Sequence, residues 1–347
     1  MTDAAVAAPT RRRPPTALAL IFVLVVGAAL ALTVGPANLP VRGVVLDLLD
    51  ALPFVNADSG LTERQAAVLW QLRLPRVVLG AIVGGSLAIA GGSYQGVFRN
   101  PLADPYLLGV AAGAGLGATI AIISGVSGTS PILPFAAFGG GVVAVVITYA
   151  LTRLGGSLRT TATLILAGVA VASFFTAAQT FAQQLASDTV REVFAWILGR
   201  LTTVGWAEVR LVTPFVLVAT IVMLGHRRHL DVLAVGEVEA SSLGLDVSRV
   251  RFWMVLAATL ATAAAVSVAG LIGFVGIVVP HSVRLLAGSS YRAILPLSLA
   301  GGAAFLLFAD VVARTVLAPS ELPIGVVTAF VGAPFFAVIL ARSGGAR

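Results

Sequence analysis

The stretch from Pro105 to Thr152, PYLLGVAAGAGLGATIAIISGVSGTSPILPFAAFGGGVVAVVITYALT, contains no charged residue in 48 positions. A charge at the centre of a bilayer costs at least about 2.5–3.5 kcal/mol. A helix needs about 20 residues to cross the hydrocarbon core, so this stretch is long enough for two crossings. The helix-breaking residues of SGVSGTSP, Ser124–Pro131, mark the turn between them. The pattern predicts an all-α, polytopic membrane protein.

Charge-free runs elsewhere predict eight more spans, which gives about ten in total. These runs are Pro14–Val41 (apolar body Ala17–Val34), Val77–Phe98, Thr160–Ser187, Leu211–Gly225, two spans within Phe252–Val283, Ala293–Ala309 and Val326–Ala341. The run Phe252–Val283 is short for two membrane crossings. Gly270, Gly273 and Gly276 allow the chain to turn between them. A signal peptide is the alternative for the first run, but its apolar body of about 18 residues exceeds the usual 7–15, which favours a retained helix.

The placement of arginine predicts the orientation of these spans. With ten spans and the N-terminus inside, 14 of the 22 arginines fall in inner segments and 8 in outer ones. Both termini are therefore predicted to be cytoplasmic. The predicted organisation is a cytoplasmic tail (1–16), a single transmembrane domain (17–341) and a second cytoplasmic tail (342–347). Within the domain, 36–76 forms an outer segment and 227–251 the longest inner loop.

The composition excludes several kinds of chemistry. Only 11% of the residues are charged, against about 25% in soluble proteins, every basic residue is arginine, and there is no cysteine. Without lysine or cysteine, the chain can form no P-loop, Schiff base, thiolate nucleophile, disulfide or cysteine-ligated metal site. The net charge of +7 is explained better by orientation in membrane lipid than by nucleic acid, so no nucleic-acid partner is expected.

Small residues and a scarcity of charge characterise the predicted interior. Two sets of glycines, at 80 and 84 and at 109, 113 and 117, each lie on one helical face. Such faces allow close helix packing, although sliding surfaces or a pathway lining remain open alternatives. Asp310 is the one partly embedded charge, and Arg314 is placed to pair with it one turn later. Because no relay of buried titratable groups is evident, a secondary transporter or an intramembrane enzyme is disfavoured.

Six strings in chain order resemble the FecCD-type permeases of ABC importers, which carry iron–siderophore complexes, haem or cobalamin. They are WQLRLPR (70–76), RNPLADPYLLG (99–109), LAVGEVEASSLGL (233–245), GLIGFVGIVVPHSVRLL (270–286), ADVVAR (309–314) and ELPIGVVTAFVGAPFF (321–336). The resemblance runs from about Trp70 to Ala341. It implies the type II ABC importer permease fold, with ten helices in a homodimer or heterodimer and the pathway at the subunit interface.

The resemblance also implies the partners. Two copies of a separate ATPase would use ATP and Mg, and an extracytoplasmic binding protein would deliver the substrate. This chain would bind no cofactor and would not itself be an enzyme. An iron chelate, either a ferric siderophore or haem, is the favoured cargo, and cobalamin is the alternative. Because the chelator fills the metal's coordination sphere, no metal ligands are expected on this chain.

Three groups of site residues follow from matching the strings to the family pattern. Binding-protein docking is implied for Arg73, Arg76 and Arg314, and contact with the ATPase for Glu237, Ala240 and Gly244 in a coupling loop. A cytoplasmic gate is implied for Asn100, Leu102, Thr160, Thr161 and Ala162. Ala162 stands where a relative has a hydroxyl residue, which makes this part of the gate a departure from the pattern.

Overall fold

In the computed structural model, residues 14–35, 39–128, 130–154, 161–201 and 205–344 are described, and their regular structure is entirely helical. The helices are α1 (Pro14–Thr33), α2 (Val41–Asp50), α3 (Glu63–Val68), α4 (Leu74–Phe98), α5 (Val110–Ile123), α6 (Ile132–Leu154), α7 (Thr161–Leu185), α8 (Val190–Ile197), α9 (Ala207–Leu233), α10 (Glu237–Ser242), α11 (Val247–Ala269), α12 (Val275–Ala287), α13 (Tyr291–Thr315) and α14 (Ile324–Gly344).

The helices account for every predicted span. Seven stretches are long and apolar enough to cross a membrane, namely α1, α3–α4, α6, α7, α9, α11 and α13. Three shorter apolar helices, α5, α12 and α14, lie where the remaining three spans are predicted. The protein is therefore an all-α, multi-pass membrane protein, as the sequence predicts.

Helix α4 forms the centre of the bundle, with α9, α11, α12 and α13 packed around it. Its contact with α13 is unusually close, because a Cβ atom added at Gly84 would overlap the carbonyl of Gly302. Gly113 on α5 meets Gly140 on α6 in the same way. In lipid, where apolar side chains gain nothing by leaving the solvent, such contacts between backbones hold helices together. For these glycines, the packing interpretation is confirmed.

The second span is longer than predicted. It begins at Glu63, where Thr62 forms a capping box with Gln65, and it continues through a π-helical turn, Leu69–Arg73, into α4. Pro75 has no N–H to donate to the preceding turn, and the winding changes immediately before it. The predicted run Val77–Phe98 therefore covers only the later part of this span, because the chain is already helical from Glu63.

The two short helices α5 and α12 begin next to each other. After α4 ends at Phe98, the chain turns at Asn100 and a single 3₁₀ turn, Pro105–Leu108, leads into α5. The Tyr106 hydroxyl donates to the Ile272 carbonyl (3.0 Å) and accepts from the Ile272 N–H (3.1 Å), which ties this turn to the α11–α12 connection. That connection begins at Gly270, in a left-handed conformation (φ +69°), as the predicted turn requires.

Candidate functional site

Five charged residues form a cluster at the end of the bundle predicted to face outward. The three arginines of the cluster are those implied in binding-protein docking, Arg73, Arg76 and Arg314, and its two acids are Asp310 and Glu321. Asp310, on α13, is 1% exposed and lies between two of the arginines. Its carboxylate is 2.8 Å from Arg76 and 3.0 Å from Arg314. The pair predicted between Asp310 and Arg314 is thereby confirmed.

Two of these arginines point toward the C-terminal end of α1. The Arg73 guanidinium donates to the carbonyls of Leu32 and Thr33, and the Arg314 guanidinium donates to that of Ala31 at 3.1 Å. The last carbonyls of a helix lack partners within it and carry partial negative charge, so a cation there is stabilising. Both arginine side chains are only 6% exposed. In this structure they bind the end of a neighbouring helix.

Arg76 is the arginine of the cluster that reaches an exposed acid. It binds Asp310 through Nε (3.0 Å) and Nη2 (2.8 Å), and it meets both Glu321 oxygens at 2.9 and 2.8 Å. The Glu321 side chain is 45% exposed. Burial acts to raise the pKa of Glu321, but hydrogen bonds and charge from Arg76 outweigh it and hold that pKa below its usual range. The pair is therefore intact at neutral pH and is lost as pH falls through that lowered pKa.

The predicted coupling loop contains the short helix α10. Glu237 begins this helix and forms an ion pair with Arg251 at the start of α11. Ala240 is fully buried, so it supports α10 from beneath, while Gly244 follows the helix in a left-handed conformation (φ +84°). Around these residues, Val238 is 76% and Leu243 is 73% exposed. The loop thus presents an apolar surface beside an ion pair.

Part of the predicted gate lies in the turn after α4. The Asn100 side chain accepts from the Leu102 N–H (2.9 Å), and Leu102 is 49% exposed. Ala162 is exposed in the first turn of α7, and Thr161 begins that helix. Thr160 lies outside the described residues.

A groove that the sequence reasoning missed runs along one face of α7. Its volume is about 630 Å³, and the turn before α5 forms its other wall, including Asp104 and Tyr106. Three hydroxyl residues of α7 line it, Ser173, Thr176 and Thr180. Their spacing of three and four residues places them on one helical face, and this spacing is the signal that could have revealed the groove.

The structure also bears on metal binding. In the part of the chain that the structure describes, no group of three or more histidine, aspartate or glutamate side chains could hold a metal ion.

Comparisons with known proteins agree with this architecture. The chain matches the FecCD transport family over residues 22–342. It is 43% identical to the cobalamin import system permease protein of Halobacterium salinarum, over 81% of this chain and 75% of the relative. It is 36% identical to the hemin transport system permease protein of Yersinia pestis, over 86% of this chain and 95% of the relative.

A solved structure shares the fold. It is described as an inward-facing conformation of a metal-chelate type ABC transporter, and it is 29% identical, with a TM-score of 0.81 over 95% of this chain and 100% of that chain. Permease subunits of this type work in a membrane assembly with ATPase partners and are not themselves enzymes. The family match covers nearly all of the helices described above. The chain therefore belongs to the FecCD transport family and is a multi-pass permease subunit of an ABC importer.

Proposed function

We propose that this chain, paired with a second permease subunit, passes an intact metal chelate from a binding protein into the cytoplasm. The observation that carries this proposal is the hydroxyl-lined groove along α7 in a chain that belongs to the FecCD transport family. Hydroxyl and small apolar groups make many weak contacts with a large ligand. Such a lining supports passage without a strong site that would trap the cargo.

The second permease subunit would cover the apolar surface that α7 and α14 leave open. Phe174 and Phe181 on α7 are 70% and 67% exposed, and Phe330 on α14 is 75% exposed. Exposed aromatic residues on helices of this kind face either lipid or another subunit. A second copy of the chain, or a related permease, would place the groove of α7 at the centre of the assembly.

The outer charge cluster is proposed as the docking site for the binding protein, with a specific order of events. Arg76 already binds Glu321, which is half exposed. An acidic residue of the binding protein would take the place of Glu321 on Arg76. Arg73 and Arg314 would contribute positive potential while they remain bound to α1. This arrangement favours encounter more than tight binding, since partly exposed charge pairs contribute little net free energy.

At the inner end, α10 is proposed as the element that contacts the ATPase. The exposed Val238 and Leu243 would meet the partner, Glu237 would fix the helix through Arg251, and the buried Ala240 would keep it seated on the bundle. The turn at Asn100 and Leu102, together with the start of α7, would form the cytoplasmic gate. ATP and Mg would be used by the partner alone.

The cargo is proposed as an iron chelate, either a ferric siderophore or haem, from the sequence resemblance. Cobalamin is a second candidate, because the chain is 43% identical to a permease named for cobalamin import. These cargoes differ in size and charge, but all are chelates in which the metal's ligands come from the cargo itself. The same groove could therefore serve either kind.

The test is competitive uptake into proteoliposomes that contain the complete importer. The purified permease is reconstituted with its ATPase and binding-protein partners, and ATP-dependent uptake of cobalamin, haem and a ferric siderophore is measured in parallel. Uptake of one chelate with its metal and ligand in a constant ratio supports the proposal and identifies the cargo. Uptake of the metal alone, or of none of the three, contradicts it.

A further inference from the structure

A separate cavity lies at the inner end of the bundle, between α6 and α11. Its volume is about 340 Å³, and the start of α7 closes one side. The cavity is lined by three arginines and three hydroxyl residues, namely Arg153, Arg249, Arg251, Tyr149, Thr152 and Ser248. Neither the hydroxyl groove of α7 nor the outer charge cluster shares any of these residues.

The positive charge of this cavity is only partly neutralised. Among the described residues that line it, none is acidic. Arg251 pairs with Glu237 through one terminal nitrogen, yet its buried Nε has no hydrogen-bond partner. Within the described part of the chain, neither Arg153 nor Arg249 forms an ion pair. Two full charges and part of a third are therefore available to a ligand.

The helix geometry adds to this potential. Ser248 lies in the first turn of the 23-residue helix α11, where backbone N–H groups carry partial positive charge. Asp246, the N-cap of α11, accepts from the Arg249 N–H at 3.0 Å and does not line the cavity. Phe252 meets Tyr149 edge-to-face, with ring centroids 6.2 Å apart, and the two rings make an apolar wall beside the basic groups.

We propose that this cavity binds a phosphate-bearing anion at the cytoplasmic edge of the membrane. The planar fork of arginine matches phosphate oxygens, hydroxyl groups complete the shell, and an apolar wall suits a ligand that also reaches into lipid. Basic pockets between transmembrane helices on the cytoplasmic side bind anionic headgroups for these reasons. The phosphate belongs either to such a headgroup or to a soluble cytoplasmic anion.

The position of Arg251 links the cavity to the predicted coupling loop. The same guanidinium lines the cavity and holds Glu237 at the start of α10. A phosphate that binds the Arg251 guanidinium competes with the Glu237 carboxylate for the same positive charge. Occupation of the cavity therefore loosens the ion pair that fixes α10 to α11.

The experiment uses the purified full-length chain and two probes. Native mass spectrometry follows titration of the detergent-solubilised protein with phosphatidylglycerol, and isothermal titration measures inorganic phosphate. The test variant is Arg153→Gln with Arg249→Gln, since both side chains are exposed and neither is among the residues implied in ATPase contact, Glu237, Ala240 and Gly244. Arg228→Gln is the matched control, because Arg228 is an exposed arginine at the same end of the bundle that does not line the cavity.

The double variant is expected to weaken binding of at least one probe by about fivefold per arginine removed. Loss of lipid binding alone assigns a headgroup, whereas loss of inorganic phosphate binding assigns a soluble anion. Ser248→Asp provides a second, independent variant. It adds a carboxylate to the cavity at a helix start that tolerates one, and it should weaken binding in the same way. Wild-type affinity in both variants, an equal loss in Arg228→Gln, or no binding of either probe by the wild type overturns the proposal.

Discussion

At the scale of single residues, the outer charge cluster depends on Asp310. Its carboxylate is almost completely buried, and burial of a charge is costly unless partners compensate for the lost water. Arg76 and Arg314 supply that compensation from two different helices. Asp310 thus joins α4 to α13 electrostatically, about two helical turns from their close backbone contact at Gly84 and Gly302.

Replacement of Asp310 by asparagine should destabilise the protein by about 3–5 kcal/mol, because it leaves two guanidinium groups facing each other without their shared anion. Thermal unfolding in detergent, followed by fluorescence, measures the effect. Asp188→Asn is the control, since Asp188 is exposed in an outer connection, and its change should stay within about 0.5 kcal/mol. Equal melting temperatures for the two variants would show that the buried pair contributes nothing.

Replacement of Glu321 by glutamine should strengthen docking of the binding protein. It releases Arg76 from an intramolecular acid and leaves it free for an acid of the partner. Faster association, up to about fivefold at low salt, is expected, with less effect at high salt. The control is Glu63→Gln, which removes one exposed outer negative charge outside the cluster. Surface plasmon resonance at two salt concentrations measures the association rate of both variants. Equal increases in Glu321→Gln and Glu63→Gln would mean that the net charge alone sets this rate.

Only part of this cluster could be predicted from the sequence. The spacing of four residues on one helix is enough to pair Asp310 with Arg314. Arg76 lies 234 positions from Asp310, and the carbonyls that Arg73 binds lie 40 and 41 positions before it. No local pattern reports such distant contacts. The resemblance therefore identified the three arginines, but their burial and their intramolecular partners required the structure.

At the scale of elements, close contacts between backbones organise the bundle. At the crossing of α4 and α13, Gly84 and Gly302 leave no room for a side chain on either helix. The gain is a larger area of van der Waals contact, which is what holds helices together in lipid. The spacing of glycines at four residues predicted such faces, although the partner of each face could not be known from the sequence.

Replacement of Gly84 by alanine should lower stability by about 1–3 kcal/mol, because its methyl group would overlap the Gly302 carbonyl and push the helices apart. Gly139→Ala on α6 is the matched control. A Cβ there meets no atom within 4 Å, so the better helix propensity of alanine should leave stability unchanged or raised. The measurement compares the melting temperatures of Gly84→Ala and Gly139→Ala in the same detergent. A stable Gly84→Ala variant would contradict the packing interpretation.

The membrane helices were predicted better than the elements around them. Charge-free runs mark the seven long spans and the three shorter apolar helices of the described residues, because water and lipid separate charged from apolar residues over a length of about 20 positions. Helix α8 and the outward extension of α4 were not predicted. They contain charged residues, as at Glu192 and Arg64, so the absence of charge gave no signal for them.

At the scale of the whole molecule, the two ends of the bundle differ in chemistry. The outer end concentrates charge in a cluster that is mostly satisfied within the chain, and the inner end presents the exposed apolar surface of α10. Between them, the groove of α7 offers hydroxyl and small apolar groups. This division fits a subunit that receives cargo at one end and mechanical work at the other.

The central claim is that this chain conducts its cargo only when a separate ATPase drives it. The direct measurement is uptake of the cognate chelate into proteoliposomes that contain the permease and its binding protein, with and without the ATPase subunit. We expect ATP hydrolysis and uptake only when the ATPase is present, and neither from the permease alone at any ATP concentration. ATP hydrolysis by the purified chain, or uptake driven by a proton gradient without the ATPase, would contradict the account.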